Sequence, residues 1–256
     1  MEHASFTRWL RYPQVLNGLG LLPSGDTLVM SVNGDRVVRI PIRPTGNDYG
    51  RFIGKPSWIQ AVSGPLYLKD RDKAYWYTFL PNKTLYFQFN SVRNSGSEPL
   101  DIFIQRMFES LDSAKAEKMI VDMRWNYGGN TALLTPLLRA VMGRPQLVRR
   151  GNLFVIIGRI TNSAAQNAVT LLERYTNPIT VGEITASSPN FTGEDNFITL
   201  PYSKIAVGIS DLYWQTSWPQ DERIWTAPLI YAPPTWELYK AGRDPAMEAI
   251  AQFTGR

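Results

Sequence analysis

Three short apolar runs do most to constrain the fold: "KMIVDMR" at 118–124, "LFVIIG" at 153–158 and "ITVGE" at 179–183. Each reads as a strand, the first of them buried, with loop or helix signals following it. The segments between them, "PLLRAVM" and "AAQNAVTLLERY", carry helical spacing, with Pro136 acceptable in the first turn of its helix. Strand–helix–strand repeats of this length bury both faces of a strand by right-handed crossovers, which predicts a mostly parallel sheet. A helix, "LDIFIQRMFESLDSA", precedes the first run. Two further strands, "FITL" and "KIAVGIS", follow the last. The closing stretch "TWELYKAGRDPAMEAIAQF" reads as two short helices, the second capped by Asp244 ahead of Pro245.

The first ninety residues are patterned differently. "TLVMSVNGDRVVRIPI" places two β-prone runs around Asn33-Gly34, a tight-turn signal. "AYWYTFL" and "TLYFQFN" flank Pro81-Asn82-Lys83 and predict a second hairpin, whose aromatics are read as strand core. With "RNSGSEPL" as a polar boundary, the expected division is a β-rich N-terminal region over 1–95 and an α/β core over 96–256.

Composition removes several chemistries. None of the 256 residues is cysteine, which excludes disulfides, thiolate metal sites and a cysteine nucleophile. The single histidine, His3, reads as part of a frayed terminus, so neither a multi-histidine zinc site nor a histidine-dependent triad is expected within this chain. No metal or other cofactor is called for. The net charge of +5 is scattered rather than gathered into a stripe, so no nucleic-acid partner is expected. No run approaches the roughly 18–20 apolar residues of a membrane span. The N-terminal stretch has no apolar h-region, so no secretory signal is read and the compartment is left open.

Two loops then invite a chemical reading. "RITNSAAQNAVTLL" places Ser163 where a helix begins, and "SAAQ" fits a capping box of Ser163 with Gln166. The same position, beside free N–H groups and the positive end of a helix dipole, also suits an attacking serine. "WNYGGN" follows the first buried strand. Its Gly128-Gly129 pair provides either a turn or bare backbone N–H groups close to a ligand. Both loops leave the carboxyl ends of neighbouring strands, where open α/β sheets bind ligands.

These motifs resemble the tail-specific (C-terminal-processing) serine peptidases and their tricorn-type and retinoid-binding relatives. "IVDMRWNYGGN" is similar to that family's strand and Gly-Gly loop, "RITNSAAQNAVTLL" to its nucleophile segment and "ITVGEITASSPN" to its following strand end. The likeness covers about residues 85–253. It implies a ClpP/crotonase-like α/β core with Ser163 as nucleophile, and an oxyanion hole from the N–H groups of Ala164 and of Gly128 or Gly129. Crotonase-like cores assemble as trimers or hexamers, so a homo-oligomer is expected by analogy.

The sequence also departs from that pattern. Ser188 stands where tail-specific members carry the lysine base. Tricorn-type members use a histidine from earlier in the chain, and many bacterial relatives carry a Gly-Asp-Gly-His-Thr-like segment upstream of the β-rich region. A chain beginning after that segment has left its base behind. Lys204, Asp221, Glu194 and Glu183 are the substitutes considered, each against the reading of a solvated surface charge. The expected function is a serine hydrolase acting on peptide or ester bonds through an acyl-enzyme. The alternatives are esterase or lipolytic activity on small esters, and a non-catalytic binding protein for apolar ligands or peptide tails.

Overall fold

The computed structural model describes residues 13–41, 64–96, 98–202 and 206–255. The chain divides into two units, 1–62 and 63–256. In the first, helix α1 (Pro13–Gly18) precedes a hairpin of β1 (Thr27–Val32) and β2 (Arg36–Pro41). The hairpin register runs from Thr27 opposite Pro41 to Val32 opposite Arg36. Asn33 and Gly34 turn it with φ of 54° and 89°, the left-handed backbone that this dipeptide tolerates.

The second unit is built on a six-stranded sheet. Its strands are β3 (Tyr75–Leu80), β4 (Thr84–Phe89), β5 (Lys118–Asp122), β6 (Leu153–Ile157), β7 (Ile179–Gly182) and β10 (Ile230–Tyr231). They lie in the order β10-β7-β6-β5-β4-β3, and every neighbouring pair is parallel except β3 with β4. Helices α2 (Leu100–Ser113), α3 (Thr135–Met142), α4 (Pro145–Val148) and α5 (Ala164–Tyr175) connect the strands. α6 (Trp236–Lys240) and α7 (Pro245–Gln252) close the chain.

Strand alternation sorts the apolar residues into two cores. Phe87, Met119, Val121, Val155 and Ile157 face one way and pack with Phe103 and Met107 of α2 and with Ala168 and Leu172 of α5. Tyr86, Ile120, Phe154 and Val181 face the other way, with Ala246 and Ile250 of α7. Both faces are covered, which is why the strands read as unbroken apolar runs.

Three features of this arrangement go beyond what the sequence expectations specified. The boundary at 95/96 falls inside the second unit, because β4 pairs in parallel with β5 and so joins its hairpin to the core sheet. The described parts of "FITL" and "KIAVGIS" fall in a separate ribbon, β8 (Asn190–Thr199) against β9 (Ala206–Gln215), outside the six-stranded sheet, while residues 204 and 205 lie outside the described residues. The sheet is instead completed by two-residue β10, too short to leave a periodic signal.

Candidate active site

Three loops leave the carboxyl ends of adjacent strands β5, β6 and β7 and are stitched together. The Asn162 N–H donates to the Asn126 carbonyl at 3.1 Å, and the Ala186 N–H donates to the Thr161 carbonyl at 2.8 Å. The Thr161 hydroxyl donates to the Met123 carbonyl at 2.9 Å and accepts from the Gly158 N–H at 3.0 Å. Asn126, fully buried, is the hub. Its amide donates to the Phe89 carbonyl (2.9 Å) and its Oδ1 accepts from the Gly128 N–H (2.9 Å). Sequence reasoning passed over Asn126 and Thr161. The available signal for Asn126 was an asparagine two residues before glycine in a loop after a strand, an Asx-turn position.

Ser163 begins α5 with φ 53° and ψ −126°. That is glycine-like backbone, costing a non-glycine residue about 1–3 kcal/mol, and it persists only where surrounding contacts hold it. Sharp strand-to-helix turns of this kind present the serine in hydrolases that attack with a hydroxyl. The capping-box expectation is corrected: the Ser163 side chain makes no cap bond, and Gln166 turns to Thr170 and Thr226 instead. The Asn162 carbonyl meets the Ala165 N–H at 3.0 Å. The half-buried Ser163 hydroxyl therefore stands beside a 12-residue helix's positive end without being spent on capping.

The Gly-Gly loop lies directly against it. A Cβ on Gly128 would stand 2.7 Å from the Ser163 Cβ and 3.1 Å from the Ala164 nitrogen, so only glycine permits the approach. Gly129, at φ 140°, runs so close to Val92 that a Cβ would lie 2.0 Å from its carbonyl oxygen. The Val92 N–H donates to the Gly128 carbonyl, and the Asn130 N–H to the Val92 carbonyl. The Gly128 N–H is spent on Asn126. The N–H groups of Gly129 and Ala164 have no acceptor among the described residues.

The candidate bases fare differently. Lys204, like His3, lies outside the described residues. Glu183 follows β7, its N–H on the Ile157 carbonyl and its carboxylate on Arg159 Nε at 2.8 Å. Glu194 lies on the exposed β8 ribbon at φ 60°. Asp221 is closed onto Arg223 (2.8 and 2.9 Å) and the Ser217 hydroxyl (2.5 Å). Bonding from Arg223 holds its carboxyl far below the usual range against the opposing effect of burial, and Ser217 adds to that. Such a carboxylate is a poor proton acceptor. Burial raises the neighbouring Glu173 carboxyl, with Arg223 pulling it back. Ser188, where the resemblance leads one to expect a lysine, donates to the Asn190 carbonyl at 2.5 Å. Among the described residues no cluster of His, Asp or Glu could hold a metal ion, and no helix is long and apolar enough to cross a membrane.

Behind the Gly-Gly loop, Arg124 anchors the strand end. Its Nε meets both Asp122 oxygens at 3.0 Å, and its outer nitrogens fork onto Asp244 at 3.0 and 2.9 Å. Its guanidinium lies 4.3 Å from the centre of the Tyr67 ring. Asp244 also caps α7 as the sequence predicts, accepting from Ala246 N–H at 3.1 Å and Met247 N–H at 3.4 Å.

The fold is shared with solved structures of mature CPAF and of an S41-type protease. Mature CPAF, solved in complex with lactacystin, matches with a TM-score of 0.52 at 11% identity, over 88% of this chain and 66% of that one. A Bacteroides fragilis NCTC 9343 protein assigned to the S41 proteases matches at 0.50 and 13% identity, over 88% and 64%. The photosystem II D1 C-terminal processing protease matches at 0.45 and 15%, over 63% and 49%. The chain thus spans about half the length of the D1 protease and just under two thirds of the Bacteroides protein. No family model matches the chain, and no curated protein does. At these identities the likeness establishes the fold.

Proposed function

We propose that the chain is a serine hydrolase in which Ser163 attacks an acyl carbon and the N–H groups of Ala164 and Gly129 receive the developing oxyanion. Gly128 is reassigned to shaping the hole, since its own N–H serves Asn126. The observation that carries the reading is the Ser163 backbone, φ 53° and ψ −126°, at a helix start where its hydroxyl caps nothing. Attack forms the Ser163 Oγ–acyl bond as the leaving group departs with a proton, and water then releases the acid. Peptides are the first substrate class, following the peptidases that share the fold. Small esters are the second, because their better leaving groups ask less of an acid–base partner.

The test is intact-mass analysis after fluorophosphonate treatment of the wild type and Ser163→Ala. A single adduct that disappears in Ser163→Ala supports the reading, and no adduct between pH 6 and 10 sinks it. Glu183→Gln and Lys204→Ala then locate the proton acceptor, whose loss lowers the labelling rate at least ten-fold. One observation favours a second reading, a non-catalytic binding protein: Ser188 stands where the resemblance leads one to expect a lysine and is bonded back to Asn190. Absence of labelling together with peptide binding unchanged in Ser163→Ala would select it.

A further inference from the structure

A closed ring of buried contacts surrounds the Ser163 turn. From Thr161 the chain runs through Ser163 to Gln166, whose Nε2 donates to Thr226 Oγ1 at 2.9 Å across sixty residues of sequence. Thr226 is locked to Thr185 in both directions. The Thr226 N–H donates to Thr185 Oγ1 at 2.8 Å, and the Thr185 N–H donates to the Thr226 carbonyl at 3.1 Å. The next residue, Ala186, returns to the Thr161 carbonyl at 2.8 Å and closes the ring. Thr161, Gln166 and Thr226 are fully buried, and Thr185 is 2% exposed.

Gln166 is a costly choice for packing. Its Nε2 is satisfied by Thr226 and by Thr170, yet its Oε1 is buried without a partner. An apolar side chain of similar length would avoid that desolvation loss. What the amide supplies is the bridge across the ring, and the residue that most needs holding, the positive-φ serine, lies inside it.

We propose that Gln166, through Thr226 and Thr185, is a positioning residue that holds the Ser163 turn in its glycine-like conformation and so keeps the hydroxyl and the Ala164 N–H aimed together. The proposal deepens the nucleophile reading and rests on it for its chemical consequence. Its structural part stands separately.

The experiment compares Gln166→Met, Thr226→Val and Thr226→Ser with the wild type. It uses three readouts: the fluorophosphonate labelling rate, thermal unfolding, and amide hydrogen exchange in peptides spanning 158–167. Gln166→Met and Thr226→Val are each expected to slow labelling at least ten-fold and to speed exchange over 158–165, with Tm within a few degrees of wild type. Their double variant should be no slower than the slower single, since both break one bridge. Thr226→Ser keeps the hydroxyl and restores the wild-type rate. Labelling within two-fold of wild type in both singles, or exchange unaltered, overturns the proposal. If the wild type itself does not label, the nucleophile reading falls and hydrogen exchange alone decides the positioning claim. If Gln166→Met does not fold, the contrast between Val and Ser at 226 decides it.

Discussion

Removing the Asp244 carboxylate should unlatch the C-terminal helix from the strand end that carries the Gly-Gly loop. Asp244 makes a two-pronged bond to Arg124 at 3.0 and 2.9 Å, with side-chain exposures of 5% and 14%. Burial alone would weaken the Arg124 charge, and Asp122 and Asp244 more than offset it. Breaking one arm of such a buried arrangement costs about 3–5 kcal/mol, because the remaining charge loses a partner that water cannot replace. Asp122 keeps its own hold on Arg124, which places Asp244→Ala near the lower end. The lost cap of α7 adds about 1 kcal/mol, giving a total of about 4 kcal/mol. For a unit of this size that is a fall in Tm of roughly 8–16 °C. Asp244→Asn keeps a capping oxygen while losing the charge and should recover about 1 kcal/mol of the loss. Urea unfolding followed by far-UV circular dichroism measures both variants. A cost below about 1 kcal/mol for Asp244→Ala, or no difference between Ala and Asn, would refute the reasoning.

Further outcomes follow from the site and its surroundings. Gly128→Ala forces φ 120° on a residue with a Cβ and drives that Cβ to 2.7 Å from Ser163. It should cost about 3 kcal/mol in denaturant unfolding and reduce Ser163 labelling more than ten-fold, whereas wild-type labelling would show the loop to be free to move. Ser163→Gly should be more stable than Ser163→Ala by about 1 kcal/mol, since glycine accepts this backbone at no steric cost. Equal stabilities would mean the turn is unstrained. Asp221 has a folded pKa below its ordinary 3.8, so its contribution to stability is fully present above that value and is lost as pH falls through it toward the folded value. The stability gap between wild type and Asp221→Asn, measured by urea titration, should be constant above pH 5 and shrink below about pH 4. A gap that widens toward acid would reverse the assignment.

The elements were legible because they are written locally. Period and length mark β5, β6, β7 and α5. Asn33-Gly34 turns one hairpin, and Asp244-Pro245 starts the last helix. Ser163 and the Gly-Gly loop could be named for the same reason, since each sits at the end of an apolar run. What Ser163 does there was not legible. A serine before a helix caps it in one backbone conformation and stands clear in another, and φ 53° follows from contacts rather than composition. Division of the glycine pair likewise depended on Asn126 claiming the Gly128 N–H.

Sequence by itself determined the α/β class, the strand–helix alternation and the absence of cysteine chemistry, because hydrophobic period and residue type act over a few neighbouring positions. Only the tertiary structure decided that the aromatic hairpin joins the core sheet, that β8 and β9 form a ribbon of their own, and that Arg124 meets Asp244 and Gln166 meets Thr226. Apart from the ribbon, whose strands are near neighbours in the chain, these contacts bridge between about thirty and 120 positions, as in Thr84 with Lys118 and Arg124 with Asp244. No local pattern encodes such pairings. They are selected by which arrangement of already formed elements buries the apolar faces while leaving the fewest polar groups unpaired.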